Sequence, residues 1–412
     1  MAGKLIIAGG NITHAENEIF TQFVRCGIET RHRAGHKDGT GSSNPSGLFV
    51  LVPSASENPE RSFAYFKETL VRCGAEPDSI VCAEISVRKP GWERGAWSRE
   101  QVKLAQDACG FWISGGDQNA VMDALQDEHG GDSPFLEVMR ARNGGGVVIG
   151  GTSAGAAVMS NPMIGGGTSF GALVLPEAVK PAQTEISEAL YVRQGLGFFT
   201  RGIVDQHFDV RARSARLLRA LSLDPLRRTW GFGVAEDTAM VWDPETTAVS
   251  VIGSAGLYVF DARDARWQKM MNRYGVTDVV LHYLTRGDSL NLAQGVCKFT
   301  AKKQLEPGEE YYHVPEPVSS GVLSPYTDLA SFIKHMLIDN AWDALFKDTS
   351  IVDAEWRHAK SYLIGFNDLS ERLEWEIRCK RSQKQTKGYL DTSGVQSGIV
   401  SFENVRMDII PC

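Results

Sequence analysis

The sequence predicts an α/β fold, a mostly parallel open sheet with helices on both faces. Short apolar runs recur between Lys4 and Asp243: "KLIIAGG", "GLFVLVPSAS", "SIVCAEI", "GFWISGGD", "GGGVVIGGTSAG" and "TAMVWD". Each is bounded by Gly, Ser or Asp, as strands buried on both faces of a parallel sheet are. Helical periodicity fills the gaps: "NPERSFAYFKETLVRCG" spaces Phe63, Phe66, Leu70 and Val71 as a helix does and reaches Gly74, a C-cap residue type. A chain of 412 residues with 42% hydrophobic content can bury one large core or two ordinary ones.

In such a sheet, ligands bind beyond the carboxyl ends of the strands. Gly9–Gly10, Gly115–Gly116 and Gly150–Gly151 end three of the runs and would meet on one rim. From about Asn291 the character changes. "CKFTAKKQLEPGEEYYHVPEPVSSGVLSPY" is charged, then rich in Pro, Ser and Gly, and suits a connector or a few irregular strands. "TDLASFIKHMLIDNAWDALF" places Leu329, Phe332, Ile333, Met336, Leu337 and Leu345 on one helical face, capped by Thr327 or Asp328. A second helix is expected around 354–380, followed by the alternating "GIVSFENVRMDII". The chain thus divides into a main domain, 1–296, and an appended C-terminal α+β region, 297–412. The latter serves assembly or substrate capture, or packs on as scaffold. No internal repeat or low-complexity tract is visible.

The net charge of −7 gives no general attraction to nucleic acid or anionic lipid, so neither a nucleic acid nor a membrane is the expected partner. A small or polymeric metabolite is. Seven widely spaced cysteines without a CxxC pair read as reduced thiols. The N-terminal apolar run is too short for a signal peptide, and no stretch reaches the roughly 18 apolar residues of a membrane span. A cytoplasmic protein is expected.

"GTSAG", residues 151–155, fits G-x-S-x-G in a strand-turn-helix setting, the nucleophile-elbow pattern. Gly151 and Gly155 let strand and helix pack around a strained Ser153 whose hydroxyl is exposed. The helix from Ala154 would aim N–H groups and its positive end at an oxyanion. A tight phosphate-binding or packing turn is the alternative. Of the nine histidines, His207 in "GIVDQHFDVRARSARLLRAL" follows an apolar strand and opens a helix, which suits a base for the serine. An acid to orient it should follow another strand. "GFGVAEDTAMVW" offers Glu236 or Asp237, giving the chain order Ser, His, acid. In "WISGGDQNA", Asp117 suits a helix N-cap, the N–H near Gly116 a second oxyanion donor, and Gln118 a substrate contact. Arg211, Arg213 and Arg216, with Arg219 one turn on, form either a solvated helix face or a fork for carboxylates. Asp205 and Asp209 beside them would suit a substrate cation. A site with both signs suits a zwitterion.

Together, "GGTSAGAAVMS", "DQHFDVRARSARLLRAL", "GFGVAEDTAMVW", "GGDQ" and "LHYLTRGDSLNL" resemble the cyanophycinases, serine hydrolases of the peptidase family that includes aspartyl dipeptidase. The resemblance covers roughly residues 3–295, and its most specific block is the D-Q-H-F with three spaced arginines. It implies a three-layer fold of the glutamine-amidotransferase or flavodoxin-like kind. It also implies exo-cleavage of cyanophycin, a poly-aspartate backbone carrying arginine on each β-carboxyl, to β-Asp-Arg dipeptides through an acyl-enzyme. By the same resemblance, Ser153 is the nucleophile, His207 the base and then acid, and Glu236 the orienting acid. Gly116 and Ala154 are the oxyanion donors. Gln118, Asp205, Gln206, Arg211, Arg213 and Arg216 bind substrate. A homodimer without metal or cofactor is implied. Ala235 stands where the family usually has an acidic residue, so Glu236 and Asp237 both remain candidates. An aspartyl or isoaspartyl dipeptidase is the alternative activity, with the segment from Pro162 to Gly197 as a lid in either case, and a non-catalytic scaffold a third reading.

Overall fold

The computed structural model describes residues 2–35, 47–179, 188–306, 308–311, 329–339, 358–367, 372–382, 385–393 and 399–411. Strands β1 (Leu5–Ala8), β2 (Leu48–Val52), β3 (Ile80–Cys82), β4 (Ala108–Ile113) and β5 (Val148–Thr152) alternate with helices α1 (Glu16–Gly35), α2 (Pro59–Arg72), α3 (Arg99–Gln106), α4 (Gln118–Leu125) and α5 (Pro134–Gly144). The one-turn helix α6 (Ala154–Ala157) follows, then a two-stranded ribbon, β6 (Met163–Gly166) with β7 (Tyr191–Arg193), that flanks α7 (Ser169–Val174). Next come β8 (Ile203–Asp205), α8 (Ser214–Leu223), β9 (Trp230–Val234), β10 (Thr238–Asp243), β11 (Ala248–Gly253), β12 (Gly256–Asp261), β13 (Arg266–Met270) and β14 (Arg273–Thr285). The remainder holds β15 (Ser289–Asn291), β16 (Val296–Lys298), β17 (Lys302–Gln304), α9 (Leu329–Ile333), β18 (His358–Asn367), β19 (Arg372–Arg381), β20 (Lys387–Asp391) and β21 (Ile399–Pro411).

The first sheet runs β16-β15-β11-β10-β1-β5-β4-β2-β3. Its β1-β5-β4-β2-β3 half is parallel, and the β10, β11, β15 and β16 half is antiparallel. The expected mostly parallel sheet is therefore corrected to a mixed one: β10 and β11 are joined by a short turn, which permits only antiparallel pairing. Helices cover both faces of the parallel half, because alternate side chains enter different cores. Leu5, Ile7, Val50, Val52, Phe111, Ile113 and Ile149 pack with Val121 and Leu125 of α4 and Phe135 and Met139 of α5. Ile6, Ala8, Phe49, Leu51 and Trp112 pack with Phe20 and Phe23 of α1 and Phe66 and Leu70 of α2. Trp112 lies 4.6 Å from the Phe20 ring and pairs across strands with Gly150, where a Cβ would stand 2.2 Å from the indole.

A second sheet, which sequence reading did not separate from the first, runs β17-β20-β21-β14-β12-β9-β8, with β13 on β14, β19 on β21 and β18 on β19. In β9 the alternation is Trp230, Phe232 and Val234 against Gly231 and Gly233. The large side chains join the core of the first sheet with Met240 and Val251. On the other face the glycines admit α8 and Phe208: a Cβ at Gly231 would stand 3.1 Å from Leu221, and one at Gly233 2.4 Å from the Phe208 ring.

The C-terminal strands complete this second sheet. Residues 372–381 form β19, where the helix expected around 354–380 is corrected to a strand. Trp375, Ile377 and Cys379 are each fully buried and alternate with half-buried Glu376, Arg378 and Lys380, and residues 358–367 form β18 beside it. The alternating 399–411 is β21, which pairs with both β14 and β19 and shares one core with Leu217, Tyr258 and Phe260. Of the expected helix near 329, α9 and a π-helical turn at Lys334–Ile338 are described, with Leu329, Phe332, Ile333 and Leu337 buried. Thr327, Asp328, Leu345 and the Met336 side chain lie outside the described residues. No helix among the described residues is long and apolar enough to cross a membrane.

Candidate active site

Strands β1, β5 and β4 are adjacent and parallel, so their glycine-rich ends share one edge. Ser153 sits there with φ 54° and ψ −111°, a conformation that costs an L-residue about 1–3 kcal/mol and needs support from its surroundings. The support is backbone packing. The Ser153 N–H donates to the Ala8 carbonyl at 3.0 Å. A Cβ at Gly151 would stand 2.4 Å from the Gly155 carbonyl oxygen, and one at Gly155 2.2 Å from that of Ile113. Strand and helix touch only because both positions lack side chains. The Ser153 hydroxyl does not cap α6 and lies 2.9 Å from His207 Nε2. Since α6 is one turn long, it brings local backbone N–H groups rather than a macrodipole to this corner.

His207 follows β8 of the second sheet, and Glu236 lies in the link by which the chain crosses from β9 to β10 in the first. The site is thus built where the two sheets join. His207 adopts φ 44°, and its N–H donates to the Gly9 carbonyl at 2.7 Å. Its ring fills the space beside Gly10, where a Cβ would stand 2.3 Å from Cε1. His207 Nδ1 lies 2.5 Å from Glu236 Oε1, and the other carboxylate oxygen accepts from Asn11 Nδ2 at 2.8 Å. Burial lowers the His207 pKa; the Glu236 hydrogen bond opposes this, while Arg211 and Arg213 add to it, leaving it below the ordinary histidine value. Burial raises the Glu236 pKa, but hydrogen bonds from His207 and Asn11 outweigh it and keep the carboxylate ionised below its usual range. A neutral imidazole between a hydroxyl and a carboxylate can take a proton from the first while the second stabilises the cation formed.

Asp237 has other partners. It accepts the N–H groups of Thr13 and Ala15 at 2.8 and 2.9 Å and the Ser254 hydroxyl. Gly116 is exposed at φ 138°, and a Cβ at the preceding Gly115 would stand 3.4 Å from Ser153 Cβ, so this turn borders the serine. Asp117 caps α4 through the Asn119 N–H. Gln118 donates to the Ile164 and Gly165 carbonyls at 3.2 and 3.0 Å, which ties α4 to the β6 ribbon.

The arginines separate. Arg211 is exposed, whereas Arg213 and Arg216 are 9% and 4% exposed. Arg216 makes a bidentate pair with Asp205, through Nε at 2.7 Å and Nη2 at 2.6 Å, and Asp205 is 1% exposed. Asp205 and Arg216, both expected to bind substrate, are here each other's partner. Arg213 donates to the Gln206 carbonyl at 2.6 Å and lies 3.6 Å from Asp205. The Gln206 N–H is held by Asp205 at 2.9 Å, and its buried Oε1 makes no hydrogen bond among the described residues. Asn11 was missed by sequence reasoning, although the Gly9–Gly10 end of β1, expected on this rim, leads directly to it.

The chain is similar to the curated cyanophycinase of Nostoc sp. (strain PCC 7120), 31% identical over 252 residues, which cover 60% of this chain and 75% of that one. The chain belongs to the cyanophycinase family. It is a hydrolase of the peptidase class. The cyanophycinase of Trichormus variabilis matches equally, at 31% identity over 252 residues. That of Geminocystis herdmanii is 29% identical over 297 residues, 70% of this chain and 92% of its own. Among solved structures, a peptidase from an acI-B1 Actinobacterium covers 71% of this chain and 97% of its own at 19% identity, with a TM-score of 0.48. No protein-family model matches the chain. The match to the Nostoc cyanophycinase thus spans 60% of this cyanophycinase-family chain.

Proposed function

We propose that this protein is an exo-acting cyanophycinase that releases β-Asp-Arg dipeptides through an acyl-enzyme on Ser153. The observation that carries the reading is the hydrogen-bonded series Ser153 Oγ, His207 and Glu236 on a strained elbow in a member of this family. His207 Nε2 takes the hydroxyl proton as Oγ attacks a backbone carbonyl, and the N–H groups of Gly116 and Ala154 receive the oxyanion. The imidazolium, paired with Glu236, then protonates the leaving amine, and water attacks the ester by the same route in reverse. Arg211, the exposed member of the cluster, meets a substrate carboxylate, and Gln206 Oε1, without a hydrogen bond among the described residues, accepts a substrate N–H. Arg213 acts behind them through Gln206, and Gln118 by fixing the ribbon beside the serine.

Residues 1–296 form the catalytic unit in this reading, and 297–412 supply the strands that close its second sheet. Exposed Trp267, Met270 and Met271 on the β13–β14 hairpin support self-association as a homodimer, and the free cysteines among the described residues support a reducing, cytoplasmic location.

The test is to incubate wild type and Ser153→Ala with insoluble cyanophycin and identify soluble products by mass. Release of β-Asp-Arg by the wild type alone is expected. An intact polymer alongside cleavage of aspartyl or isoaspartyl dipeptides would transfer the same machinery to the dipeptidase activity.

A further inference from the structure

Three side chains from three strands converge where the two sheets meet. His282 lies on β14, Cys297 on β16 and Glu403 on β21, and one ligand-capable atom of each lies within 4.8 Å of the other two. β16 is an edge strand of the first sheet, whereas β14 and β21 are neighbours in the second. The Cys297 Sγ stands 3.6 Å from His282 Nδ1, which the Asn404 N–H approaches at 3.4 Å. His282 is 4% exposed, and Cys297 and Glu403 are half-buried. Tyr389, stacked on Phe299 at 3.6 Å, donates its hydroxyl to Glu403 Oε1 at 2.8 Å. None of these residues belongs to the Ser153 site.

We propose that His282, Cys297 and Glu403 bind a divalent transition ion of the zinc class, which clamps the C-terminal strand β21 to the edge of the first sheet. The donor set argues for this class. One imidazole nitrogen, one thiolate and one carboxylate match the borderline-soft preference of zinc, whereas calcium and magnesium take oxygen ligands. Charge argues the same way, since a thiolate and a carboxylate together cancel a divalent cation in a site that is otherwise poorly solvated.

The geometry is near what coordination needs. Tetrahedral bonds of about 2.0–2.3 Å set donors about 3.5 Å apart. The 4.8 Å bound therefore closes by at most about 1.3 Å, within the reach of rotation about the Glu403 side chain. Three protein ligands leave a fourth position for water. Without the ion, burial favours the neutral forms: it holds the His282 pKa down to about 4 and pushes the Cys297 thiol and the Glu403 carboxyl up. A spacing motif could not reveal the site, because its third ligand, Glu403, comes from a strand far along the chain from His282 and Cys297.

The test uses the full-length protein, stripped with a chelator and titrated with Co²⁺ and then Zn²⁺. The wild type should bind a single Co²⁺ with a thiolate-to-cobalt charge-transfer band, lose that band on adding Zn²⁺, and show a higher Tm with Zn²⁺. Cys297→Ser should abolish the band, and His282→Gln should weaken Zn²⁺ binding at least about tenfold. Both variants keep Ser153, so retained peptidase activity reports that they fold. No charge-transfer band in the wild type, or the same band in Cys297→Ser, overturns the proposal. Should the variants fail to fold, the wild-type spectrum and thermal shift decide alone.

Discussion

Glu236 and Asp237 are consecutive, yet their carboxylates serve opposite sides of the link they share. Glu236 Oε1 lies 2.5 Å from His207 Nδ1, while Asp237 Oδ1 accepts the N–H groups of Thr13 and Ala15 at 2.8 and 2.9 Å. The backbone is the cause: Asp237 has φ 53°, and this left-handed turn sends the second carboxylate away from the first. Two like-charged neighbours thereby avoid competing for one imidazole.

The pair is separable by substitution. Glu236→Gln should lower kcat by about 10⁴-fold, by favouring the wrong imidazole tautomer, with Tm nearly unchanged. Asp237→Asn should instead lower the unfolding free energy by about 1–3 kcal/mol, because two N–H groups lose a charged acceptor. Its effect on kcat should be much smaller. Equal losses of kcat in the two variants would sink the distinction.

Gly10→Ala tests the fit of the histidine ring. A Cβ there would stand 2.3 Å from His207 Cε1, at a position with φ 111°. The ring must move, breaking its alignment with Ser153, so kcat/KM should fall at least about 100-fold for a displacement near 1 Å. Circular dichroism should show a folded protein. Unchanged activity would mean that the ring has room that this geometry denies it.

The pH profile follows from the direction of the His207 shift. The neutral imidazole is the base, and its pKa lies below the ordinary value, so the acid limb of kcat/KM should fall below about pH 6.5. Arg211→Ala removes one of the charges that depress it and should move that limb upward. For stability the sign is the same: between the unfolded and the lower folded pKa the unfolded chain binds more protons, so stability falls as pH drops through that window. An acid limb above the ordinary histidine value would contradict the burial of His207.

The Asp205–Arg216 pair should behave as scaffold. Asp205→Asn leaves a buried guanidinium without its counter-charge and should cost about 3–5 kcal/mol in urea denaturation. Burial pushes the Asp205 pKa up, but Arg216 and Arg213 outweigh it and hold it low, so this stabilisation is present above the usual carboxylate range and lost as pH falls through the lowered value. The double variant Asp205→Asn with Arg216→Met removes the orphaned charge and should recover much of the loss. A large rise in KM with unchanged stability in Asp205→Asn would return the residue to the substrate.

The sequence by itself determined the elbow, because strand, glycines, Ser153 and Ala154 lie within one local segment whose backbone constraints are read from residue size. It determined the shared edge of β1, β4 and β5 for another reason, since parallel strands bring their carboxyl ends to one side of a sheet. The strict alternation of Leu373, Trp375, Ile377 and Cys379 with charged residues was also present in the chain, and reading 354–380 as a helix overlooked that period of two. Which carboxylate meets His207, and that Arg216 turns inward to Asp205 while Arg211 faces solvent, were decided only in three dimensions. So were the pairing of β21 with β14 and the meeting of His282, Cys297 and Glu403. Each depends on elements distant in sequence packing at a particular register, and composition carries no record of which buried charge will find which partner.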